Sequence, residues 1–148
     1  MELNNYFRLS FRGITENESF VRSTVAAFCT QLNPTIEEVN DIKTAVSEAV
    51  TNCIVHGYSG KIGEIVIDVS LFDDNVEIKI SDTGCGFVDI QKAMQPFYTT
   101  KPEQERSGMG FTLMQAFMDS VEVISTVNIG TTVIMRKNIS REYEDVRA

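Results

Sequence analysis

The order of patterns along the chain predicts an α/β two-layer sandwich, with helices on one face of a mixed, mostly antiparallel sheet. Two observations carry that expectation. Apolar and polar residues alternate with period two around Phe7, Leu9 and Phe11, around Ile65, Ile67, Val69 and Leu71, and around Val76, Ile78 and Ile80, the pattern of half-buried strands. Apolar residues instead recur at helical spacing from Phe20 to Leu32, from Ile36 to Cys53 and from Phe111 to Met118. In sequence the chain reads strand, helix, helix, two strands, loop, helix, two strands.

The first strand ends at Gly13. Thr15 and Glu18 have the TxxE form of a capping box and open a helix with Phe20, Val21, Thr24, Val25, Phe28 and Leu32 on its apolar face, running to about Asn33 and Pro34. Glu18 and Arg22 lie four apart on its outward face, the spacing of a solvated ion pair. Thr35 and Glu38 repeat the capping signature at the start of a long central helix, whose buried face is Ile36, Val39, Ile42, Val46, Ala49, Val50 and Cys53 and whose end is Gly57. Glu48, Asn52 and His56 are spaced four apart on that helix and project from one stripe. Such a stripe is either solvated or the lining of a pocket, and its apolar flanks at Ala45, Val46, Ala49, Val50 and Cys53 suit a pocket.

Asp73, Asp74 and Asn75 form a tight turn between the next two strands. Residues 89–94 suggest a short helical piece, and 95–107, with Pro96 and Pro102 and no sustained period, a long loop of the lid type. Gly108, Met109 and Gly110 begin the third helix, and its N-terminus is a natural phosphate site. Val121 to Val127 and Thr132 to Met135 make a last hairpin about Asn128, Ile129 and Gly130, followed by a charged tail, about 138–148, that is expected to fray.

At 148 residues the chain is one domain's worth, so a single domain over 1–148 is expected. Its formal charge of −8 repels nucleic acid and anionic membranes at long range, although a local basic group such as Lys101 or Arg106 can still hold a small phosphate ligand. Cys29, Cys53 and Cys85 are widely spaced, with no CxxC pair and one histidine in the chain, which suits free thiols in a reducing compartment. The residues after Met1 have no signal-peptide pattern, and no run of about eighteen apolar residues occurs, so a cytoplasmic protein is expected.

Asp82, Thr83, Gly84, Cys85 and Gly86 follow the third strand directly. A carboxylate at a strand's end with glycines alongside is either a plain Asx-capped turn or a place where backbone closes on a ligand. Other pieces weigh on that choice: ExxxN at Glu48 and Asn52, GMGF at Gly108 to Phe111, and GTT at Gly130 to Thr132. In this order and spacing they resemble the GHKL ATPase/kinase superfamily with its Bergerat ATP-binding fold, over nearly the whole chain. The segments Glu16 to Phe20, Val46 to Asn52, Phe97 to Pro102 and Arg106 to Phe111 are similar in particular to the anti-sigma F factor family of endospore-forming bacteria.

The resemblance implies an ATP/ADP and Mg²⁺ site. Asp82 would accept from the adenine amine beside Gly84 and Gly86, Thr132 would complete recognition of the base, and Asn52 would be the metal ligand. Glu48 would be the general base, with Arg106 offsetting charge on the transferred phosphoryl group. Thr99, Thr100 and Lys101 in the lid, and Ser107, Gly108, Met109 and Gly110 after it, would contact the nucleotide. His56 is read as structural, and Cys85 departs from the small or aliphatic residue usual within DxGxG.

The implied function is a homodimeric serine kinase that silences sporulation sigma factor F and phosphorylates its anti-anti-sigma antagonist, with Glu18 and Arg22 as the partner-docking pair. A stress-response relative with a different sigma partner, and a nucleotide-gated binding module without kinase activity, are the alternatives. A gyrase-like clamp is not expected, because no transducer domain follows the last strand.

Overall fold

The computed structural model describes residues 2–58, 61–87, 94 and 110–139. Among these residues five strands form one sheet in the order β1-β2-β3-β5-β4: β1 (Leu3–Arg12), β2 (Glu64–Phe72), β3 (Asn75–Asp82), β4 (Ser120–Thr126) and β5 (Gly130–Asn138). Each neighbouring pair is antiparallel, so the described sheet is wholly antiparallel rather than mixed. Among the described residues three α-helices supply the second layer, α1 (Glu18–Cys29), α2 (Ile36–Asn52) and α3 (Gly110–Phe117), and both α1 and α3 pack against α2. The two-layer sandwich is as expected.

The core lies between the layers. Ile65, Ile67, Val69 and Leu71 of β2 and Val76, Ile78 and Ile80 of β3 meet Ile42, Ala45, Val46, Ala49 and Val50 of α2, with Val133 and Met135 of β5 and Met114 of α3 closing the set. Strict alternation along β2 and β3 leaves the opposite face to polar side chains such as Asp68, which binds Arg8 at 2.6 Å, and Glu77, which binds Arg136 at 2.9 Å.

Of the two expected capping boxes, one forms. The Thr35 hydroxyl accepts from the Glu38 N–H at 3.1 Å, and the Glu38 carboxylate accepts from the Thr35 N–H at 2.9 Å. The box at Thr15 and Glu18 does not form. There Ile14 is the extended residue, Thr15–Asn17 make a 3₁₀ turn, and the chain enters α1 already helical at Asn17 (φ −88°, ψ −10°), so Thr15 sits too late to cap. Starting α1 at Glu18 points Val21, Val25, Ala26 and Cys29 inward, and Phe20 is 54% exposed rather than packed. Ile36, the first residue of α2, is likewise 82% exposed. Asn33 ends the first helical region in the left-handed conformation at φ 54°.

The expected helical piece at 89–94 falls largely, and the lid at 95–107 wholly, outside the described residues. At the other end β5 continues to Asn138, and Ile139 is 1% exposed with its N–H bonded to the Asp74 carbonyl at 2.7 Å, so the ordered fold extends into the segment expected to fray. Residues 140–148 lie outside the described residues.

The two caps predict different costs. Thr35→Ala is expected to lose about 1 kcal/mol of stability and Thr15→Ala much less. Urea denaturation of the two variants beside the parent chain measures the contrast, and equal losses would contradict the assignment of the caps.

Candidate functional site

The site begins at the end of α2. Helical spacing places Glu48, half-buried, one turn before Asn52, which is 9% exposed. The next residues, Cys53–Gly57, continue as a π-helical turn, a wider winding found disproportionately at functional positions. The Asn52 side-chain nitrogen is buried with no hydrogen-bond partner among the described residues. A Cβ at Gly110, the first residue of α3, would come within 3.2 Å of the Asn52 side-chain oxygen. The start of α3 therefore rests on this amide. An amide left short of partners beneath a helix N-terminus suits a ligand that brings its own polar atoms, and its oxygen is the neutral hard donor a divalent cation takes. Among the described residues no three or more His, Cys, Asp or Glu gather as a metal cluster.

Asp82 ends β3 and is 7% exposed. Its Oδ1 accepts from the Gly84 N–H at 2.9 Å, and the Thr131 backbone N–H and the Cys53 thiol also donate to the carboxylate. Burial outweighs those donors and holds the carboxyl above the usual carboxylate range. Burial, then the neighbouring Asp82 charge, pushes the Cys53 thiol well above its ordinary value, so it stays protonated and donates.

Glycines shape the slot. A Cβ on Gly57 would lie 2.7 Å from Asp82 Oδ2, and one on Gly84 would lie 1.9 Å from the Gly57 carbonyl oxygen. Gly86 has φ +71°, and a Cβ there would come 2.4 Å from the Thr126 carbonyl oxygen. The DxGxG loop is thus fitted to the end of α2 on one side and to the β4–β5 turn on the other. The Cys85 side chain is exposed, with its N–H bonded to the Gly57 carbonyl at 2.8 Å and its thiol to the His56 carbonyl at 3.1 Å. His56 itself is 7% exposed, and its ring lies 6.3 Å from that of Phe87.

Strand register corrects one expectation. Asp82 pairs with Thr131, so these two share the helix-facing side of the sheet, whereas Thr132 pairs with Ser81 on the other side, hydroxyl to hydroxyl at 3.1 Å. Thr131, 6% exposed, is the threonine beside Asp82. The GTT run holds both candidates, and only the pairing separates them. Cys53 and Gly57, which the sequence pattern marks as a core residue and a helix terminator, also border the slot.

Glu18 and Arg22 form the expected i, i+4 contact at 3.5 Å, but the pair is not on a free outward face. The Glu18 side chain is 12% exposed, and Arg22 Nη1 also reaches Ser47 Oγ at 3.5 Å, next to Glu48 on α2. Thr99, Thr100, Lys101, Arg106, Ser107, Gly108 and Met109 lie outside the described residues.

The raised Asp82 carboxyl has a measurable sign. Because the folded state binds this proton more tightly than the unfolded chain, the group's contribution to stability falls as pH rises through that window. Relative to Asp82→Asn, the parent chain should gain stability as pH is lowered from 7 toward the ordinary Asp value of about 3.9, read as a shift in urea midpoints. A gap that does not change with pH would contradict the burial of this charge.

Residues 15–137 match the histidine kinase-like ATPase domain family. An anti-sigma F factor of Caldanaerobacter subterraneus subsp. tengcongensis is 57% identical over 141 residues, covering 95% of this chain and 99% of that protein. One from Clostridium perfringens is 52% identical over 139 residues, covering 93% and 99%. The crystal structure of the RsbU and RsbW domains of Rv1364c from Mycobacterium tuberculosis aligns with a TM-score of 0.68 at 19% identity, over 93% of this chain and 33% of that one, a likeness of fold. With an Asp82 slot, an Asn52 amide beneath a helix start and these relatives over nearly its whole length, the chain belongs to the histidine kinase-like ATPase family and, within it, to the anti-sigma F factors.

Proposed function

We propose that this protein is an ATP-dependent serine kinase and anti-sigma factor that binds sporulation sigma factor F and phosphorylates a serine of the anti-anti-sigma antagonist. The observation that carries this reading is the joining of two subsites by one helix end. Asn52 lies under the start of α3, and five residues on Gly57 forms a wall of the Asp82 slot. A base held at Asp82 and phosphates held at α3 would span that short stretch.

In this reading Asp82 accepts from the adenine amine, and Thr131 takes the part first expected of Thr132. Gly84 and Gly86 let the loop close on the base. The N–H groups at Gly108, Met109 and Gly110 face the phosphates, with Thr99, Thr100, Lys101 and Ser107 on the lid side, as the family resemblance implies. Asn52 holds Mg²⁺ through its amide oxygen. Bound Mg²⁺ would offset phosphate charge. Glu48 orients the substrate serine and takes its hydroxyl proton as the Oγ–P bond forms and ADP departs with the bridging oxygen. Arg106 stabilises charge on the phosphoryl group in transit.

The Glu18–Arg22 pair, leaning on Ser47, is the docking point for both proteins, which compete for it. Its closeness to Glu48 along α2 supports this reading, because a substrate held there is near the base. The working state is a homodimer in the cytoplasm. The names of the relatives favour sigma factor F over a stress-response sigma factor.

Two variants test the division of labour. Glu48→Ala should lower phosphoryl transfer to the antagonist by ~10²- to 10⁴-fold while ATP and sigma affinities stay close to those of the parent. Labelled-phosphate transfer at saturating ATP measures it, and a full rate would remove Glu48 as the base. Arg22→Ala should weaken both protein partners by ~10-fold, within the range for loss of an interface arginine, with ATP affinity unchanged. Surface-based binding assays with each partner decide; undiminished affinity for both would reject the α1 surface.

A further inference from the structure

The loop that carries Asp82 is tied to the central helix by a side chain to which neither the sequence motifs nor the proposed chemistry gives a role. Tyr58 follows the π-helical turn directly and is 9% exposed. Its hydroxyl donates to the Glu64 carbonyl at the start of β2 and accepts from the Thr83 N–H at 3.0 Å, with Thr83 Oγ1 at 3.3 Å. The ring is held from the other side. A Cβ on Gly63 would lie 2.2 Å from the Tyr58 ring, so the backbone there passes directly over it. At its own root, the Tyr58 N–H bonds the Cys53 carbonyl at 3.0 Å, closing the π-helical turn.

These contacts leave Thr83 little freedom, and Thr83 sits between Asp82 and Gly84. The Gly84 N–H that binds Asp82 Oδ1, the Cys85 N–H that binds the Gly57 carbonyl and the Thr83 N–H that binds Tyr58 are three successive amides. Two of the three are received by residues 57 and 58. The Tyr58 hydroxyl is an acceptor whose removal, in Tyr58→Phe, leaves the backbone and the packing volume of the ring in place.

We propose that Tyr58 is a positioning residue for base recognition: its hydroxyl sets the Asp82–Gly84 turn against the end of α2, and so aims the carboxylate that accepts from the adenine amine. The inference rests on the reading of Asp82 as that acceptor. Losing the hydroxyl lets the turn shift, and the interaction lost is the one with the exocyclic amine. Contacts to the phosphates, which the proposed function puts at Asn52 and the start of α3, are retained.

A ratio of affinities tests this. ATP and purine riboside triphosphate differ by the amine alone, so the ratio of their Kd values isolates its recognition. Calorimetric titration of the full chain with each nucleotide should give a clear preference for ATP in the parent protein, lost in Asp82→Asn. Tyr58→Phe should keep a cooperative thermal transition and reduce that preference by about 10-fold, the scale of one hydrogen bond to a charged group. An unchanged ratio in folded Tyr58→Phe, or equal weakening of both nucleotides, would overturn the positioning role, the second outcome marking a purely structural tyrosine. Should Tyr58→Phe not melt cooperatively, the hydroxyl serves the fold as a whole, and the positioning role is overturned likewise. A parent protein that does not distinguish the two nucleotides would sink the reading of Asp82 itself, and the role of Tyr58 with it.

Discussion

The contact between Gly57 and Gly84 is the constraint on which the site depends. Neither position has room for a methyl group, since a Cβ on Gly84 would sit 1.9 Å from the Gly57 carbonyl oxygen. That approach brings the end of the central helix against the loop leaving β3, and it leaves Asp82 in a slot walled by backbone. A carboxylate buried there carries a desolvation cost that its donors must offset: the Gly84 and Thr131 N–H groups and the Cys53 thiol. Each donor comes from a different stretch of chain. Asp82 is therefore held by the fold as a whole and not by its own loop.

One helix serves both ends of the site. The buried stripe of α2, from Ile42 to Val50, anchors it on the sheet, and the polar stripe of Glu48 and Asn52 runs alongside. Because α1 and α3 both pack on α2, a protein bound near Arg22 and a nucleotide beneath α3 would, in the proposed function, meet the same helix. Arg22 reaching Ser47, the neighbour of Glu48, puts that link at the length of one residue.

Much of this was legible in the sequence, wherever local pattern and tertiary demand agree. The alternation in β2 and β3 announced both the strands and their buried face, and Thr35 with Glu38 announced the start of α2, because a capping box is a local device. The same signature at Thr15 misled, since the chain enters α1 through a 3₁₀ turn that the four residues do not encode. Asp82, Asn52 and the glycines were legible as a spaced set of motifs. Thr131 was not, because choosing between adjacent threonines needs the register of β5 on β3, a long-range fact. Cys53 and Tyr58 look like ordinary apolar residues until the loop from the far end of β3 arrives beside them. The glycine spacing signalled that something would come close, and only the folded chain shows that it is another glycine.

Sheet order has a temporal side. β5 lies between β3 and β4, so a strand that follows β4 in sequence occupies an interior place and brings Thr131 opposite Asp82 across a separation of about fifty residues. Closing so long a loop is slow compared with forming the β2–β3 hairpin, whose two strands meet through a two-residue turn. A nascent chain that has reached β3 already holds Asp82 and Asn52 but lacks the strand that completes the slot. The slot is thus completed only once β5 has been made, and until then the exposed flank of β3 is an open template for pairing with other chains.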